Sequence, residues 1–514
     1  MFVSSGLLPR PWLVLALLMV VFPAGGSPGS ARGQNPPPPS NPLDVLREGH
    51  PAGIGPASPA FATLPMVNVD VDVQADAGPL ELWRHALGHG GINPLPLPQG
   101  VVQGVAALKP RLIRVFVQEF FEVYPESGRF DWSRLDPYMD GLARTGAKVV
   151  AAITIKPKPL FPKIDPAVWR PSDVAEWQRV VAALVRRYSV DRPIVTHWEI
   201  GNETDIGENG GCPYLITNPR DYADYYRMTI EPILSTFPRA KVGGPAVAKG
   251  DGELLPAFLD LCAMDRTRLD FISWHLYADD PRRHARLVEK YRKLLEEKFP
   301  DRRPEMLVTE WNKGFDRVSV EELAFEPRRA AAAAAAMLAM TEAGVDWSFY
   351  YHVWDQVCYR EQFEPFFRDP QIMYRHWNEV PHRFGLFGVG QEVRPQYFVY
   401  QLLGRMGARR SRVKCETDDV HVLAAKNGGD VSVLLVNYGL PSSRDGIARL
   451  RFTGLAAGHK QLTNWRIDRS RSWSARRLEL LPAERREVDA RAEFSCQVYC
   501  PADSVCLFKL ESSP

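Results

Sequence analysis

Two glutamates far apart in the chain each follow an apolar run and stand among side chains that can make hydrogen bonds. Glu203 lies in the stretch HWEIGNETD (residues 197–205), directly after Asn202, and Glu310 lies in LVTEWN. Double-displacement cleavage of a glycosidic bond needs two carboxyl groups, one protonated to donate to the leaving oxygen and one ionised to attack the anomeric carbon. The pattern therefore suggests Glu203 and Glu310 as the two carboxyl groups of such a site.

A repeated alternation of strands and helices would position these residues. Apolar runs predict strands at 80–88, 111–116, 147–155, 193–200, 240–244, 269–275, 305–311 and 345–354. Amphipathic or Ala-rich stretches predict helices at 133–146, 172–188, 220–237, 253–264, 281–299 and 327–344. Such alternation predicts βαβ units and a parallel sheet buried on both faces. Eight units favour a (β/α)8 TIM barrel over 80–408, and no G-x-G-x-x-G follows the first strand to support a dinucleotide fold.

Functional residues of such a barrel lie at the carboxyl ends of its strands. Glu203 would follow the fourth strand and Glu310 would end the seventh. A substrate-binding set is predicted around them. It consists of Asn202, which directly precedes Glu203, and of four residues from other strands: Arg114, His275, Tyr277 and Trp354. Arg114 and Tyr277 could keep the nucleophile ionised. Glu199 is interpreted as a buried ion-pair residue, and it is the rival acid if the strand register is shifted.

The pattern of apolar and polar residues changes after residue 408. Two alternating runs flank an NGGD turn, which is typical of a β-hairpin, and further alternating runs follow. Residues 409–514 are therefore predicted to form an accessory antiparallel β-sandwich. A strand within residues 61–79, MVNVDVDV, fits no βα unit and could belong to that sandwich.

The N-terminus has the features of a targeting segment. One arginine precedes an apolar stretch too short to cross a bilayer comfortably, and small residues follow. Residues 1–31 are predicted to be a cleavable signal peptide and residues 32–60 a Pro-rich linker. A secreted or periplasmic protein is the expected result.

The balance of charged residues limits the classes of binding partner. The 514 residues include 63 Lys and Arg against 61 Asp and Glu, so no broad positive surface is available for nucleic acid or an anionic membrane. With the paired glutamates, this favours a carbohydrate substrate, with no nucleic acid and no membrane after signal cleavage. The oligomeric state is not indicated.

No metal or organic cofactor is expected, because H-E-x-x-H and Asp-rich calcium loops are absent. Cys496, Cys500 and Cys506 could include a disulfide.

Several motifs together resemble a known family. EIGNE with VTEWN is similar to the clan of retaining (β/α)8 glycosidases whose catalytic glutamates end strands four and seven. KVGGPA, DFISWHLY and RPQYFVYQLLGRMG narrow the resemblance to glycoside hydrolase family 39, which includes β-xylosidases and α-L-iduronidases. The resemblance implies Glu203 as acid/base, Glu310 as nucleophile, and Asn202 as a partner of the sugar 2-hydroxyl. It also implies an exo-acting, β-xylosidase-like enzyme with a barrel and a β-sandwich.

The chain departs from the family pattern at three positions. Gly201 stands where the family usually has Trp, Thr204 where it has Pro, and Phe116 where it often has His. Because of these departures, the sequence does not identify the sugar of the substrate. They also motivate an alternative hypothesis, a non-catalytic carbohydrate-binding barrel or scaffold protein.

Overall fold

The computed structural model describes residues 64–314, 327–379, 385–469 and 477–512. The predicted signal peptide and the linker up to residue 60 lie outside the described residues. Strand β1 (Met66–Pro79) comes first and belongs to a second sheet. The next eight strands close into a parallel barrel in chain order: β2 (His85–Gly88), β3 (Leu112–Val117), β4 (Lys148–Ile153), β5 (Val195–Ile200), β6 (Lys241–Val247), β7 (Phe271–Tyr277), β8 (Glu305–Asn312) and β9 (Trp347–Tyr351). The predicted barrel is confirmed.

Helices follow or cover the barrel strands. They are α1 (Gln99–Leu108), α2 (Leu135–Ala143), α3 (Val174–Val185), α4 (Pro219–Thr236), α5 (Leu254–Asp265), α6 (Pro281–Lys298), α7 (Pro327–Ala343), α8 (Gln371–Tyr374) and α9 (Pro395–Leu403). Local chemistry fixes several starts: Asp173 caps α3 by accepting the Glu176 N–H, and Asn218 caps α4 ahead of Pro219. Among the described residues, no helix has the length and hydrophobicity of a membrane span.

The barrel strands are apolar because both of their faces are covered. All six residues of β3 are buried, including the single charged residue, Arg114. A buried guanidinium must be paired, so the sequence of β3 already requires acidic partners inside the barrel. The carboxyl ends of β3, β5, β7 and β8 bring those partners to one place.

The second sheet joins β1 to eight strands that follow the barrel: β10 (Arg409–Cys415), β11 (Val420–Asn427), β12 (Asp430–Asn437), β13 (Gly446–Thr453), β14 (Gly458–Ile467), β15 (Glu484–Ala490), β16 (Glu493–Cys500) and β17 (Ser504–Ser512). The order of its nine strands is β15-β14-β17-β12-β11-β10-β1-β13-β16. The predicted hairpin joins β11 to β12, with Asn427 paired to Asp430 and Gly428 at a φ of 58°.

This sheet folds over on itself to form the sandwich. Phe452 of β13 stacks on Phe508 of β17 with ring centroids 5.8 Å apart, although several strands separate β13 from β17 in the sheet. A buried apolar cluster from both layers fills the space between them. The predicted β-sandwich is confirmed, and β1 belongs to it, but one pair of strands in its sheet is parallel. β1 runs antiparallel to β10 but parallel to β13, because it enters between two strands that run in opposite directions.

All seven cysteines are free thiols in the structure. Cys500 and Cys506 are both buried in the sandwich core, where a hydrogen bond joins their thiols and Ser504 Oγ lies 3.9 Å from Cys506 Sγ. The disulfide considered for this cluster is therefore not formed.

Candidate active site

Arg114 organises the carboxyl ends of the barrel strands. Its guanidinium is fully buried and uses three nitrogens. Nε donates to Glu199 Oε2 at 2.6 Å, Nη1 to Glu310 Oε1 at 2.7 Å, and Nη2 to Asn202 Oδ1 at 2.7 Å. The planar fork of arginine suits such a set of fixed acceptors. The Arg114 guanidinium therefore fixes the positions of both the predicted nucleophile, Glu310, and the predicted sugar-binding amide, Asn202.

Glu310 is surrounded by donors. Besides Arg114 at Oε1, it accepts the Tyr277 hydroxyl at Oε2, over 2.8 Å. Burial raises the pKa of Glu310, but the charge of Arg114 and the hydrogen bonds from Tyr277 and Arg114 oppose this increase. Within the pair of glutamates, Glu310 is thus the carboxyl that best holds a negative charge.

Glu203 has the opposite environment. Its side chain is 12% exposed, and Oε1 lies 2.7 Å from His275 Nδ1. Burial raises the pKa of Glu203 well above its ordinary value, and the charges of Glu310 and Asp205 add to the increase. Burial also lowers the pKa of His275 well below its usual value, with a further contribution from Arg114, so the imidazole is neutral. Glu203 is therefore the carboxyl that holds the proton.

The backbone at the end of β5 aims Glu203 into the barrel mouth. Glu203 has a φ of 45°, in the left-handed region that a non-glycine residue seldom adopts, and its N–H donates to Ala246 O over 2.8 Å. Gly201 also has a positive φ, of 85°. A Cβ at Gly201 would lie 3.0 Å from Thr204 Cγ2, so the departures from the family pattern at 201 and 204 are neighbours in space.

The two carboxylates are close. One oxygen of Glu203, one of Glu310 and one ring nitrogen of His275 all lie within 4.8 Å of one another. The same atoms could offer ligands to a metal ion, but Arg114 already places a positive charge 2.7 Å from Glu310. The arrangement thus favours acid and nucleophile chemistry over cation binding. Carboxyls about 5–5.5 Å apart are typical of retaining glycosidases, and about 6.5–9.5 Å of inverting ones.

Trp354 is placed differently from the other predicted residues. It is 9% exposed, its Nε1 donates to Val389 O at 3.4 Å, and its ring centroid lies 6.3 Å from that of His89. Glu203, Glu310, Asn202, Arg114, His275 and Tyr277 share one contact network, whereas Trp354 lies beside His89. Its role in substrate binding stays a prediction.

Three residues near the site were not identified from the sequence. His89 follows β2 and is buried, and neither of its ring nitrogens has a hydrogen-bond partner in the described part of the chain. The strand-end rule, that functional residues of a barrel lie at the carboxyl ends of its strands, would have predicted His89. Gln118 follows β3 and donates to Gly211 O at 2.7 Å. Gly210 packs on Glu203, and no sequence pattern indicates this contact.

Replacing Arg114 by methionine is expected to destabilise the fold. The change leaves Glu199 and Glu310 buried without their counter-charge, which should cost about 3–5 kcal/mol at neutral pH. The deficit should shrink as the pH falls, because protonated carboxyls need no counter-charge. Urea unfolding of the wild type and of Arg114→Met, repeated at several pH values, measures this difference in the free energy of unfolding.

A matched control is Arg451→Met in the sandwich. Arg451 makes two hydrogen bonds to Asp70, but both side chains are about half exposed. That pair should contribute only about 0.2–1 kcal/mol. Equal losses in the two variants would contradict a special role for the buried network.

The sequence is similar to known glycosidases. The model of the family described as Glycosyl hydrolases family 39 matches residues 113–438. A β-xylosidase from Geobacillus stearothermophilus is 29% identical over 135 residues, 26% of this chain and 26% of that protein. A β-xylosidase from Caldicellulosiruptor saccharolyticus is 21% identical over 343 residues, 61% of this chain and 65% of that protein. The matches thus span about a quarter of the first relative and just under two thirds of the second.

Solved structures share the fold. A monomeric β-xylosidase from Caulobacter crescentus CB15 superposes with a TM-score of 0.68 at 18% identity, covering 87% of this chain and 100% of that chain. The GH39 enzyme from Xanthomonas axonopodis pv. citri gives 0.68 at 19% identity, covering 90% and 100%. At this identity the likeness concerns the barrel with its β-sandwich, and the chemistry rests on the residues described above.

Proposed function

Because this chain belongs to glycoside hydrolase family 39, we propose that it is a retaining glycoside hydrolase that works by double displacement. One observation carries the proposal. Glu203 and Glu310 each have an oxygen within 4.8 Å of the other, in surroundings that favour a proton on Glu203 and a charge on Glu310. This asymmetry is what a general acid and a nucleophile require.

In the first step a Glu310 oxygen attacks the anomeric carbon while the bond to the leaving oxygen breaks. The proton of Glu203 moves to that oxygen, and the sugar remains as an ester of Glu310. Arg114 and Tyr277 hold the Glu310 carboxylate in place before the attack. Their positions also stabilise the carboxylate when it leaves in the second step.

In the second step a water molecule attacks the anomeric carbon of the ester. Glu203, now ionised, takes the proton of the water, and the bond between the sugar and Glu310 breaks. Two inversions at one carbon return the original configuration. Asn202 accepts from Arg114 and donates one N–H to Gly210 O at 3.0 Å, which leaves its second N–H for a sugar hydroxyl.

We further propose a β-xyloside as the substrate and an exo mode of attack. The relatives from Geobacillus stearothermophilus and Caldicellulosiruptor saccharolyticus, which support the choice of sugar, are β-xylosidases. The experiment is to hydrolyse an aryl β-xyloside in the NMR tube and follow the first sugar released. β-Xylose should form first and then mutarotate. α-Xylose as the first product would contradict a retaining mechanism.

The departures from the family pattern favour one alternative, a carbohydrate-binding barrel without catalysis. Phe116 places an apolar ring beside Arg114. The Arg114 guanidinium carbon lies 4.5 Å from the centroid of this ring, and the Tyr351 ring makes a T-shaped contact with it. The same experiment, repeated with aryl arabinosides, glucosides and glucuronides, separates the two functions. Hydrolysis of one glycoside identifies the sugar, whereas binding without hydrolysis of any of them supports the alternative.

A further inference from the structure

A short turn after β5 packs directly on the side chain of Glu203. This turn, Gly207–Gly210, is a single stretch of 3-10 helix. A Cβ on Gly210 would lie 2.5 Å from Glu203 Cβ and 2.9 Å from its carboxyl carbon, and it would lie closer still to Oε2. Gly210 is not among the glycines with a positive φ. A side chain is thus excluded at position 210 by contact with Glu203, and the backbone conformation does not require glycine.

The turn is tied on both sides, so it cannot easily retreat from Glu203. On the barrel side, Asn202 donates to Gly210 O at 3.0 Å and Gln118 donates to Gly211 O at 2.7 Å. On the outer side, Glu208 accepts the backbone N–H groups of Arg368 and Asp369 at 2.5 and 3.0 Å. These contacts fix the turn to the site and to the segment that leads into α8.

The hydrogen bond at Glu203 Oε1 determines which oxygen carries the acid proton. Neutral His275 has one N–H, and its Nε2 is buried with no partner in the described part of the chain. A proton on Nε2 would leave an N–H donor buried without an acceptor, which is costly. The proton therefore belongs on Nδ1, which donates to Oε1 at 2.7 Å. The acid proton of Glu203 is then on Oε2, the oxygen that faces Gly210.

We propose that Gly210 is a positioning residue for proton transfer to the leaving group. Having no side chain, it allows the turn to cover Glu203 while Oε2 stays where a leaving oxygen can reach it. This inference rests on the proposed role of Glu203 as acid/base. It adds that the turn Gly207–Gly210 sets the position of the acid.

The test is Gly210→Ala, assayed with two β-xylosides. An alkyl xyloside has a poor leaving group and needs the proton, whereas a 2,4-dinitrophenyl xyloside does not. For the alkyl xyloside, kcat/KM should fall about 10- to 100-fold, because a displaced acid transfers its proton poorly. For the dinitrophenyl xyloside, kcat/KM should change less than about 3-fold. The basic limb of the pH profile should move to lower pH, since a less buried carboxyl is a stronger acid.

Gly141→Ala is the matched control. Gly141 lies in α2 and is buried, and a Cβ there would meet its nearest neighbour at 3.5 Å, an ordinary contact. Both substrates and the pH profile should be unchanged. If Gly210→Ala does not fold, as judged by circular dichroism, Glu208→Ala decides instead. It frees the outer side of the turn and should produce the same selective loss, smaller in size, whereas equal effects on both substrates would overturn the proposal.

Glu203→Gln distinguishes this inference from the proposed function. If it hydrolyses both substrates like the wild type, the acid role fails and the inference falls with it. If it loses the alkyl substrate selectively while Gly210→Ala affects both substrates equally or neither, the function stands and the positioning role is overturned.

Discussion

Glu310→Gln should abolish turnover, with kcat reduced on the order of 10⁴-fold or more. An amide neither attacks an anomeric carbon at a useful rate nor leaves it again, so both steps of the reaction are lost. The fold should persist, because glutamine fills the same space, its oxygen can still accept from Arg114, and its amide NH2 can donate to the Tyr277 oxygen. Steady-state kinetics with an aryl xyloside measure the loss, and circular dichroism checks the fold.

Glu305→Gln is the control for that variant, because it makes the same chemical change at the opposite end of β8. Burial raises the pKa of Glu305, but a hydrogen bond from Lys241 at 2.6 Å and the nearby His197 lower this pKa to about 2. This variant should be less stable at neutral pH but should hydrolyse the substrate at the wild-type rate. Residual activity above about 1% in Glu310→Gln would contradict its role as nucleophile.

Azide adds a stereochemical check on the same residue. In Glu310→Ala, azide can occupy the space of the missing carboxylate and attack the anomeric carbon once, with Glu203 still donating the proton. A single displacement inverts the configuration, so the product from a β-xyloside should be an α-xylosyl azide. A β-xylosyl azide from this variant would place the nucleophile elsewhere.

Glu203→Ala should lose activity in proportion to how much the leaving group needs a proton. For alkyl xylosides kcat/KM should fall about 10²- to 10⁴-fold, which is the usual contribution of general acid catalysis. For dinitrophenyl xylosides the first step should survive and the ester on Glu310 should accumulate, since no base remains to activate water. Azide should then release it as a β-xylosyl azide, the opposite anomer to that from Glu310→Ala.

The pH profile gives a second readout of Glu203. The proposed mechanism requires Glu203 protonated and Glu310 ionised in the active form, so the dependence of kcat/KM on pH should be bell-shaped. Activity should fall as the pH rises through the pKa of Glu203, which burial raises. It should also fall as the pH drops below the pKa of Glu310. Glu203→Ala should lose the basic limb and keep the acidic one, and an unchanged basic limb would assign that limb to another group.

The barrel could be predicted from the sequence because its strands are short, apolar and separated by helical patterns. The strand-end rule then placed Glu203, Glu310, Asn202, His275 and Tyr277 in one mouth, as the structure does. The same rule, applied to the first strand, would have added His89. These predictions succeed because strand order and direction alone decide which ends meet.

Other features depend on contacts that no local pattern encodes. The turn Gly207–Gly210 folds back on Glu203 through single hydrogen bonds from Asn202 and Gln118, and neither partner is near it in a periodic pattern. Trp354 follows the last barrel strand, as expected, but its indole points to Val389 O. The parallel pairing of β1 with β13 is also determined by tertiary contacts, because alternating apolar and polar residues identify a strand but not its partner.

The position of β1 has a consequence for how the protein is made. This strand precedes the barrel in the chain, yet it lies between β10 and β13, which follow the barrel. During synthesis, β1 leaves the ribosome early and must wait for the whole barrel before either neighbour exists. The exposed edges of β1 are then open to pairing with other chains. The strand before the barrel and the strands after it thus complete one sheet only once the barrel between them has been synthesised.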